Sequence, residues 1–310
     1  MKLNQISHVL GVAETGSLRS ASRKLGITQP TMSRSIRDIE HEFGVALFTR
    51  HANGVTPTDM GRLFIRRALA IQSEVRRVSE DLDQANGNYT GQVSIATTIS
   101  TSLALLPTVL LSFQKSYPHG RLKITESLYR PVEADIISGE IDFFVGPLYE
   151  MPRLKQLMVE TLFENRRVIC ARKGHPLLSA TSLAELGSAR WIRSSMSERP
   201  DESDLEALFE RAGLPAPEIV VQTRSATMTL LTLVNSDLLT IMPTQCLDFA
   251  STAERIGTVK LEGPLPGAPI CMVRRGDLPL TPLAERFWDM IYKAGLNYAR
   301  EHCAVKTDLR

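Results

Sequence analysis

The chain of 310 residues lacks several features that mark whole classes of protein. Its four cysteines, Cys170, Cys246, Cys271 and Cys303, are far apart and form no C-x-x-C pair, so neither a disulfide framework nor a zinc site is predicted. No apolar run approaches the roughly 18 residues of a membrane span. The start, MKLNQISHVLGVAE, reaches polar residues too soon for a secretory signal. We therefore expect a cytoplasmic protein with reduced thiols and no membrane partner.

Motifs of common enzyme active sites are missing as well. There is no G-x-S-x-G and no glycine-rich phosphate loop. The pair His41-Glu42 would need a histidine at position 45 to form a zinc-protease motif, and Val45 stands there. The six histidines show no metal-ligand spacing. The sequence thus predicts no enzyme, no metal site and no cofactor.

The net charge of +2 conceals an asymmetry along the chain. Residues 1–77 carry 12 lysines and arginines against 6 acidic residues, a net +6, so the remainder carries −4. A basic front segment indicates contact with a polyanion, although such a segment is often only a solvated surface.

The front segment is predicted to form three short helices. Apolar residues recur at helical spacing from Ile6 to Ala13. Ser17 can cap a second helix, and Thr28 can cap a third after a short turn at Gly26. Two helices joined by such a turn fit a helix-turn-helix.

The third helix, within LGITQPTMSRSIRDIE and the residues after it, has two different faces. At about 100° per residue, four apolar side chains fall within an arc of roughly 60° and predict a core face: Met32, Ile36, Ile39 and Phe43. The opposite face interleaves short polar groups with cations. Arginine can bond a guanine edge and Gln29 can read adenine. A surface helix with incidental arginines fits this pattern equally well.

The residues that follow favour the DNA-binding interpretation. Gly44 to Phe48 predicts a turn into a short buried strand, and Thr49 to Thr56 a hairpin with Asn-Gly at its tip. A basic hairpin after a helix-turn-helix is the wing of a winged helix, and it approaches a minor groove or a phosphate. The predicted DNA-contacting residues are Gln29, Pro30, Thr31, Ser33, Arg34, Arg37, Arg50, His51 and Asn53.

The stretch SLRSASRKLGITQPTMSRSIRDIEHEFGVALFTRHANGVTPTDMG resembles the DNA-binding domain of the LysR-type transcriptional regulators. Ser20 and Ser22 flank Ala21, where the family usually shows paired alanines. The resemblance implies that the start of the third helix contacts the major groove of double-stranded promoter DNA. It also implies that Arg37 meets the backbone and Arg50 serves the wing.

A long helix is predicted from Asp59 to about Asn86, where no proline occurs and the only glycine is Gly61. Its apolar residues alternate steps of four and three, as in the seam of a coiled coil: Phe64, Ala68, Ile71, Val75, Val78 and Leu82. A single amphipathic helix on its own domain is the alternative. We favour a dimerising linker helix, and the resemblance implies a homodimer or homotetramer.

The acidic remainder predicts two α/β lobes with parallel sheets and crossover helices. The late strand ICMVRR is expected to return to the first lobe, which leaves two crossing segments as a hinge and a cleft that closes on a small-molecule effector. The resemblance agrees. The predicted fold is α+β and multi-domain: a winged helix-turn-helix (1–58), a linker helix (59–87) and a two-lobed, periplasmic-binding-protein-like effector domain (91–310). Lobe I spans 91–161 and 268–310, and lobe II spans 162–267.

Effector-binding residues are expected at strand carboxyl ends and helix N-termini, which favour anions. The resemblance assigns Thr98 and Ser100 to the effector position and sets Ser195 and Ser225 across the cleft. The predicted set is Thr98, Ser100, Thr101, Tyr129, Ser195, Thr223 and Ser225. Ordinary helix caps and a core position for Tyr129 are the alternatives. The stretches SDLLTIMP and RRGDLPLTP resemble a subgroup of the family that senses aromatic sulfonates, aromatic carboxylates or sugars, so the resemblance implies an anionic effector, aromatic or sugar-derived. Arg130, Arg193 or Arg224 could supply the countercharge, and a surface arginine without a ligand is the alternative for each.

Two other functions explain only half of the chain. A transport-binding protein would account for the lobes but not for the basic front. A DNA-compacting protein would account for the front but not for a cleft. The sequence therefore predicts a sequence-specific transcriptional regulator that a small effector switches.

Overall fold

The structure, a computed structural model, describes residues 1–152, 156–194, 205–247, 254–261 and 265–302. The chain divides into two compact units. The first comprises Met1–Tyr89 with Ala134–Ile141, and the second comprises Thr90–Glu133 with Asp142–Arg310. Within the described residues, no helix combines the length and the apolar character needed to cross a membrane.

The first unit begins with the three predicted helices, α1 (Leu3–Thr15), α2 (Leu18–Lys24) and α3 (Gln29–Phe43). Both predicted caps are confirmed. The Ser17 hydroxyl accepts a hydrogen bond from the Ser20 amide at 3.4 Å, and the Thr28 hydroxyl accepts one from the Thr31 amide at 3.3 Å. These bonds satisfy amides that the first turn of a helix leaves without a partner.

The core of this unit contains three of the four apolar residues predicted on α3. Met32, Ile36 and Ile39 are buried in a cluster that includes residues of α1 and α2. The prediction was wrong for Phe43, whose side chain is 49% exposed. Phe43 is the last residue of α3, before Gly44 turns the chain, and its ring reaches only an edge contact with Phe64 at 5.8 Å.

The predicted wing is present as an antiparallel hairpin of β1 (Phe48–His51) and β2 (Gly54–Pro57). One carboxylate oxygen of Glu40, on α3, accepts hydrogen bonds from the amides of Leu47 at 2.8 Å and Phe48 at 3.2 Å. Because one side chain bonds both amides, the start of the wing is fixed to α3.

The long helix α4 (Asp59–Ala85) begins where predicted, with Thr58 as its cap. The Thr58 hydroxyl accepts from the Gly61 amide at 2.9 Å and donates to the Ala46 carbonyl at 2.6 Å. A Cβ at Gly61 would lie 1.9 Å from the carbonyl oxygen of Leu47. The first turn of α4 therefore touches the backbone before the wing, and only glycine fits there.

The predicted apolar seam of α4 divides into two parts. Ala68 is buried against Ile6 and Leu10 of α1, with Phe64 beside them, so the first part belongs to the core of the unit. The second part is exposed, from 38% at Ile71 to 64% at Leu82. We call this second part the apolar stripe, and it consists of Ile71, Val75, Val78 and Leu82.

The rest of the chain alternates strands and helices. Its larger elements are, in chain order, β3 (Gly91–Thr97), α5 (Ile99–Ser116), β4 (Gly120–Glu126), α6 (Tyr129–Ser138), β5 (Phe143–Pro147), β6 (Leu157–Phe163), β7 (Arg166–Arg172), β8 (Arg190–Ser194), α7 (Leu205–Arg211), β9 (Glu218–Thr223), α8 (Ala226–Val234), β10 (Thr240–Pro243), β11 (Ile256–Val259), β12 (Leu265–Pro266), β13 (Ile270–Arg275) and α9 (Pro282–His302).

Lobe I is built on a five-stranded sheet of order β4-β3-β5-β13-β6. Strands β4, β3 and β5 are parallel, but β13 pairs antiparallel with both β5 and β6. The return of the late strand is thus confirmed, and the expected parallel arrangement holds for β4, β3 and β5 but not for β13 and β6. The sheet is mixed because β13 enters it from lobe II and not through a crossover helix.

Lobe II has β7 at the centre of antiparallel pairs with β10, β11 and β12, next to a parallel pair of β8 and β9. Here too the expected parallel sheet is found only in part. Trp191 of β8 is buried against Phe209 of α7, with ring centroids 5.6 Å apart. Two chain segments cross between the lobes, and they meet where the Gly267 amide donates to the Asn165 carbonyl at 3.0 Å.

The described cysteines Cys170, Cys246 and Cys271 are buried in the lobes, and none of them forms a disulfide within the described residues. Burial raises the pKa of the Cys170 thiol well above its usual range and raises that of Cys271 as well. Because a thiol reacts as the thiolate, the raised pKa disfavours reaction of Cys170 and Cys271 while they stay buried.

Candidate functional site

The predicted recognition face of α3 is open to solvent. Gln29, Pro30 and Thr31 are exposed at its first turn, and the Arg34 side chain is 82% exposed. The Arg34 guanidinium lies 4.0 Å from the Asp38 carboxylate, a contact that an exposed pair makes weakly. Arg34 is therefore free to exchange this partner for a base edge or a phosphate.

Two further contacts fix the polar groups of this face. The hydroxyls of Thr28 and Thr31 lie 2.8 Å apart, so the capping residue also orients a predicted base contact. The Arg37 guanidinium donates to the Ser33 carbonyl at 3.3 Å, which holds it along the helix. The first turn of α3 is thus ordered while its outer surface stays exposed.

Beneath α3 a histidine links two helices. Nδ1 of His8, on α1, lies 2.7 Å from the Ser35 hydroxyl on the buried side of α3. Burial lowers the pKa of His8, because the imidazolium form loses hydration there. This contact is part of the support for the recognition face, and the sequence pattern alone gave no sign of it.

The wing exposes Arg50, His51 and Asn53. His51 Nε2 lies 2.8 Å from the Thr56 hydroxyl on the opposite strand, so the imidazole is held across the hairpin. All nine predicted DNA-contacting residues lie in the first unit, on α3 or on the wing. Their roles in DNA binding stay predictions.

Three of the predicted effector residues form a buried hydroxyl cluster at the start of α5: Thr98, Ser100 and Thr101. The Thr98 hydroxyl lies 3.1 Å from the Ser100 hydroxyl and 3.1 Å from the Thr101 hydroxyl. Although Thr98 occupies the capping position, its side chain makes no capping hydrogen bond. The hydroxyls bond one another, and no side chain satisfies the first amides of α5 in the described part of the chain.

Tyr129 lies at the start of α6 and is buried. Its hydroxyl donates to a Glu133 carboxylate oxygen at 2.8 Å, and its ring meets Phe144 edge-on at 5.7 Å. Burial, together with the Glu133 hydrogen bond and charge, raises the pKa of the Tyr129 phenol. The neighbouring Arg130 pairs with both Glu133 and Glu150, so two carboxylates already surround its charge.

On lobe II the predicted residues make local contacts at the start of α8. Ser225 caps α8 by accepting from the Met228 amide at 3.3 Å, and the Thr223 hydroxyl accepts from the Ser225 amide at 3.1 Å. The Thr229 hydroxyl donates to the Ser194 hydroxyl at 3.1 Å, which joins α8 to the end of β8. Ser195, the remaining predicted residue, lies outside the described residues.

A small polar cavity at the same edge of lobe II includes Arg167, which the sequence analysis missed, beside Arg193, which it named. It is lined by Arg167, Ile192, Arg193, Ser194, Leu205, Thr240 and Ile241. Arg167 is near the start of β7, which runs antiparallel to β10 and therefore starts at the edge where β8 and β10 end. Only the antiparallel direction of β7 could have indicated that Arg167 lies at this edge. Arg193 pairs with Glu206 of α7, so its charge is already compensated.

A metal site has no basis in the residues that the structure describes. None of their His, Cys, Asp and Glu side chains come together in a group of three or more that could hold an ion.

Comparison with known proteins accounts for both units. The family profile "Bacterial regulatory helix-turn-helix protein, lysR family" matches residues 3–62, and "LysR substrate binding domain" matches residues 86–295. TdcA, a transcriptional regulator of Escherichia coli, is 29% identical over 232 residues, which cover 75% of this chain and 74% of TdcA. GalR of Pseudomonas putida is 29% identical over 277 residues, 88% of this chain and 69% of GalR.

Solved structures show the same fold. The crystal structure of CbnR, a LysR family transcriptional regulator, superimposes with a TM-score of 0.69 at 21% identity, covering 95% of this chain and 99% of CbnR. Full-length CbnR complexed with its target DNA gives 0.70 at 21% identity, covering 95% and 100%. With a helix-turn-helix at the front and a substrate-binding domain over most of the remainder, the chain belongs to the LysR family of DNA-binding transcriptional regulators.

Proposed function

We propose that this regulator binds two half-sites of a promoter as a dimer, and that a small anionic effector bound between its lobes changes transcription. The observation that carries the effector part is the hydroxyl cluster at the start of α5, where Thr98 leaves the helix without a side-chain cap. The proposal includes no catalytic step, because the relatives are transcriptional regulators. It places the protein in the cytoplasm, where promoter DNA is accessible.

DNA recognition is supported by the exposed face of α3. Arg34 and Gln29 present side chains that match a guanine and an adenine edge, and Thr31 and Ser33 can reach phosphates or bases. Arg37, Arg50 and His51 add charge for the backbone, and Asn53 lies at the tip of the wing. We assign DNA binding to residues 1–58.

Dimer formation is supported by the apolar stripe of α4. Its four side chains repeat at steps of four, three and four, and the single chain leaves them in water. A second copy of the helix would bury them, at about 25 cal/mol per Å² of apolar surface. We therefore assign dimerisation to residues 59–87, and a homotetramer would need a further interface.

The effector site is proposed in the domain of residues 91–310, with lobe I extended to the end of β6 at Phe163. Uncapped amides and the helix dipole at the start of α5 favour a negative charge, and the hydroxyls of Thr98, Ser100 and Thr101 can turn to donate to it. Opposite them we place Ser195, Thr223 and Ser225, with the Tyr129 ring at the side.

The structure changes the expected source of positive charge. Arg130 and Arg193 are each paired with carboxylates. A ligand would have to displace those partners to use either guanidinium. We therefore propose that amides and hydroxyls, more than arginines, hold the anionic group, as at other helix N-termini that bind anions.

The DNA-binding part is tested by selecting duplexes from a random pool with the full-length protein. We expect enrichment of a sequence with two dyad-related halves, separated by a whole number of helical turns. Enrichment without any shared sequence would contradict a site-specific regulator and favour a DNA-compacting protein.

The dimer is tested with Ile71→Asp/Val78→Asp, which places two charges on the apolar stripe. We expect sedimentation to show a monomer. The matched control is Gln72→Asp/Ser79→Asp, which adds the same charges at exposed positions of α4 outside the stripe. A dimer that survives the first double substitution would locate the interface elsewhere.

The effector is tested by thermal shift with sodium benzoate, benzenesulfonate and gluconate, against sodium chloride at equal ionic strength. A salt that binds the native protein raises the melting temperature, and Thr98→Val should remove that rise while DNA binding persists. The control is Thr108→Val, the same change at an exposed position of α5. If all three salts act like sodium chloride, an anionic effector of these classes is wrong and the DNA-binding part is untouched.

A further inference from the structure

Helix α4 has a second, polar side that is buried. Ser73, Arg77 and Gln84 are all at least 95% buried. Burying a guanidinium is costly unless it gains partners of opposite charge or hydrogen-bond acceptors. Neither DNA recognition nor the apolar stripe explains why α4 carries such a residue on this side.

The partner of this polar side is the turn after α6. The Ser73 hydroxyl donates to the Gly139 carbonyl at 2.7 Å, and Arg77 Nη2 donates to the same oxygen at 3.4 Å. Arg77 Nη1 also lies 3.9 Å from Glu74. Burial raises the pKa of the Asp81 carboxyl one turn further along, and the Arg77 charge partly offsets that rise.

Only glycine suits position 139, both in its backbone conformation and in the space beside it. Its φ of 78° lies in the left-handed region, and a Cβ would come 2.9 Å from the Ser73 hydroxyl and 3.3 Å from Arg77 Nη2. It ends α6, since its amide donates back to the Ile136 carbonyl at 3.2 Å. Arg77 therefore places a positive charge at the C-terminal end of α6, where the helix dipole favours a cation. We call Ser73, Arg77 and Gly139 the latch.

The other end of α6 begins near the hydroxyl cluster. The Ser127 amide, two residues before α6, donates to the carbonyl of Thr97 at 2.9 Å, and Thr97 directly precedes Thr98. The helix then runs without interruption from Tyr129 to Ser138.

We infer that Ser73 and Arg77 are positioning residues, which fasten α4 to the C-terminal end of α6 and thereby set the half-site separation that the dimer reads. The inference rests on the proposed function, because it supposes a dimer on two half-sites. From Ser73 to Asp59 α4 extends about 21 Å at 1.5 Å per residue. A tilt of about 10° would move Asp59 by about 4 Å, close to one base-pair step of about 3.4 Å.

The contact itself is tested by amide hydrogen exchange on the full chain. Ser73→Ala should speed exchange of residues 134–141 by about 3- to 10-fold, the worth of a hydrogen bond of about 0.7–1.4 kcal/mol. Ser79→Ala, an exposed change on the same helix, should leave them unchanged. An unchanged rate in Ser73→Ala would overturn the latch.

Gly139→Ala gives a stronger perturbation, since it adds both backbone strain and a clash with Ser73. Its matched control is Gly87→Ala, which has a similar φ of 85° but nothing within 4 Å of the added Cβ. We expect exchange in 134–141 to rise at least tenfold in the first variant only. In the double variant Ser73→Ala/Gly139→Ala, the hydroxyl that would clash with the added Cβ is absent. The increase in exchange rate should therefore be less than the product of the increases in the two single variants.

The role in spacing is tested on duplexes selected by the wild-type protein. One series has a single half-site, and another has both half-sites with the separation lengthened by 5 base pairs, about half a turn. The affinity of the Ser73→Ala variant for the single half-site should stay within twofold of wild type. Its ratio of affinities for the natural and the lengthened duplex should be about 5- to 10-fold smaller than that of wild type. General destabilisation would instead weaken binding to every duplex.

The outcomes separate the inference from the proposed function. If the wild-type protein selects no duplex, the proposed function fails. If it selects one and Ser73→Ala keeps the full spacing preference, the inference alone is overturned.

Discussion

Two helices of this chain start with a threonine in the capping position, and they use it in opposite ways. At α3 the Thr28 hydroxyl accepts from the Thr31 amide and the first turn is exposed. At α5 the Thr98 hydroxyl bonds its neighbours Ser100 and Thr101, the amides lack a side-chain cap, and the first turn is buried.

The difference separates two kinds of recognition. Because the Thr28 cap satisfies the Thr31 amide, our proposal has α3 contact DNA mainly with side chains, which can distinguish base edges. At α5 no side-chain cap is made by Thr98, so our proposal has the first amides bind an anionic ligand, where they distinguish charge more than shape. The same residue type therefore serves as a structural cap in one unit and as a candidate ligand donor in the other.

The largest expected effect concerns α4, which Thr58 caps as Thr28 caps α3. In Gly61→Ala the added Cβ meets the backbone oxygen of Leu47 at 1.9 Å, so the helix and the wing must move apart. We expect a loss of about 3 kcal/mol in the free energy of unfolding, measured with denaturant. Gly11→Ala is the control, because its Cβ comes closest to the flexible end of the Leu25 side chain, at 3.0 Å, and meets no backbone atom within 4 Å among its three nearest neighbours. Equal losses would show that the close approach is unimportant.

Next in size is the loss of a base contact. Arg34→Ala should weaken binding to the selected duplex by about 1–3 kcal/mol and relax specificity at one position. Arg121→Ala removes an exposed arginine from the effector domain and should change affinity little. If Arg34→Ala does not change the affinity for the selected duplex, Arg34 does not contact DNA. The assignment of side-chain recognition to α3 would then be wrong at this residue.

The third largest expected effect is the loss of stability when the Thr28 cap of α3 is removed. Thr28→Ala removes the acceptor for the Thr31 amide and should lower the stability of the DNA-binding domain by about 1 kcal/mol, whereas Thr28→Ser should restore most of it. Thermal unfolding of the full chain measures both. No difference between alanine and serine would mean that Thr28, like Thr98, does not act as a cap.

The smallest effect concerns pH and the support under α3. The pKa of His8 is lowered by burial, so the unfolded chain binds the extra proton more readily than the folded chain. Stability is complete above the unfolded pKa of about 6.5 and falls as the pH is lowered through it, by at most about 0.7 kcal/mol from pH 7 to 6. His8→Gln should flatten that part of the profile, and an unchanged slope would assign it to another group.

Local rules accounted for the front of the molecule. The caps at Ser17, Thr28 and Thr58 and the hairpin after Leu47 follow from residues a few positions apart. The same rules wrongly placed Phe43 in the core. Helical spacing assigns a residue to a face, but it does not say how far along that face the neighbouring helices extend.

Contacts between distant parts of the sequence could not be derived in this way. The sheet of lobe I is mixed because β13 returns more than a hundred residues after β5, and no local pattern gives its direction. The strands β6, β11 and β12 were not foreseen. Ser73 meets Gly139 across 66 residues, so neither residue carries a signal in its own neighbourhood.

The buried cysteines can report when the lobes open, because their thiols react only when they become accessible. Cys170, Cys246 and Cys271 are buried in the lobes, and the first unit contains no cysteine. In a Cys303→Ser background, a maleimide would label the protein only when a lobe opens, and fraying of the DNA-binding domain would leave it unlabelled. The labelling rate would thus measure the breathing of the lobes alone, with no engineered probe.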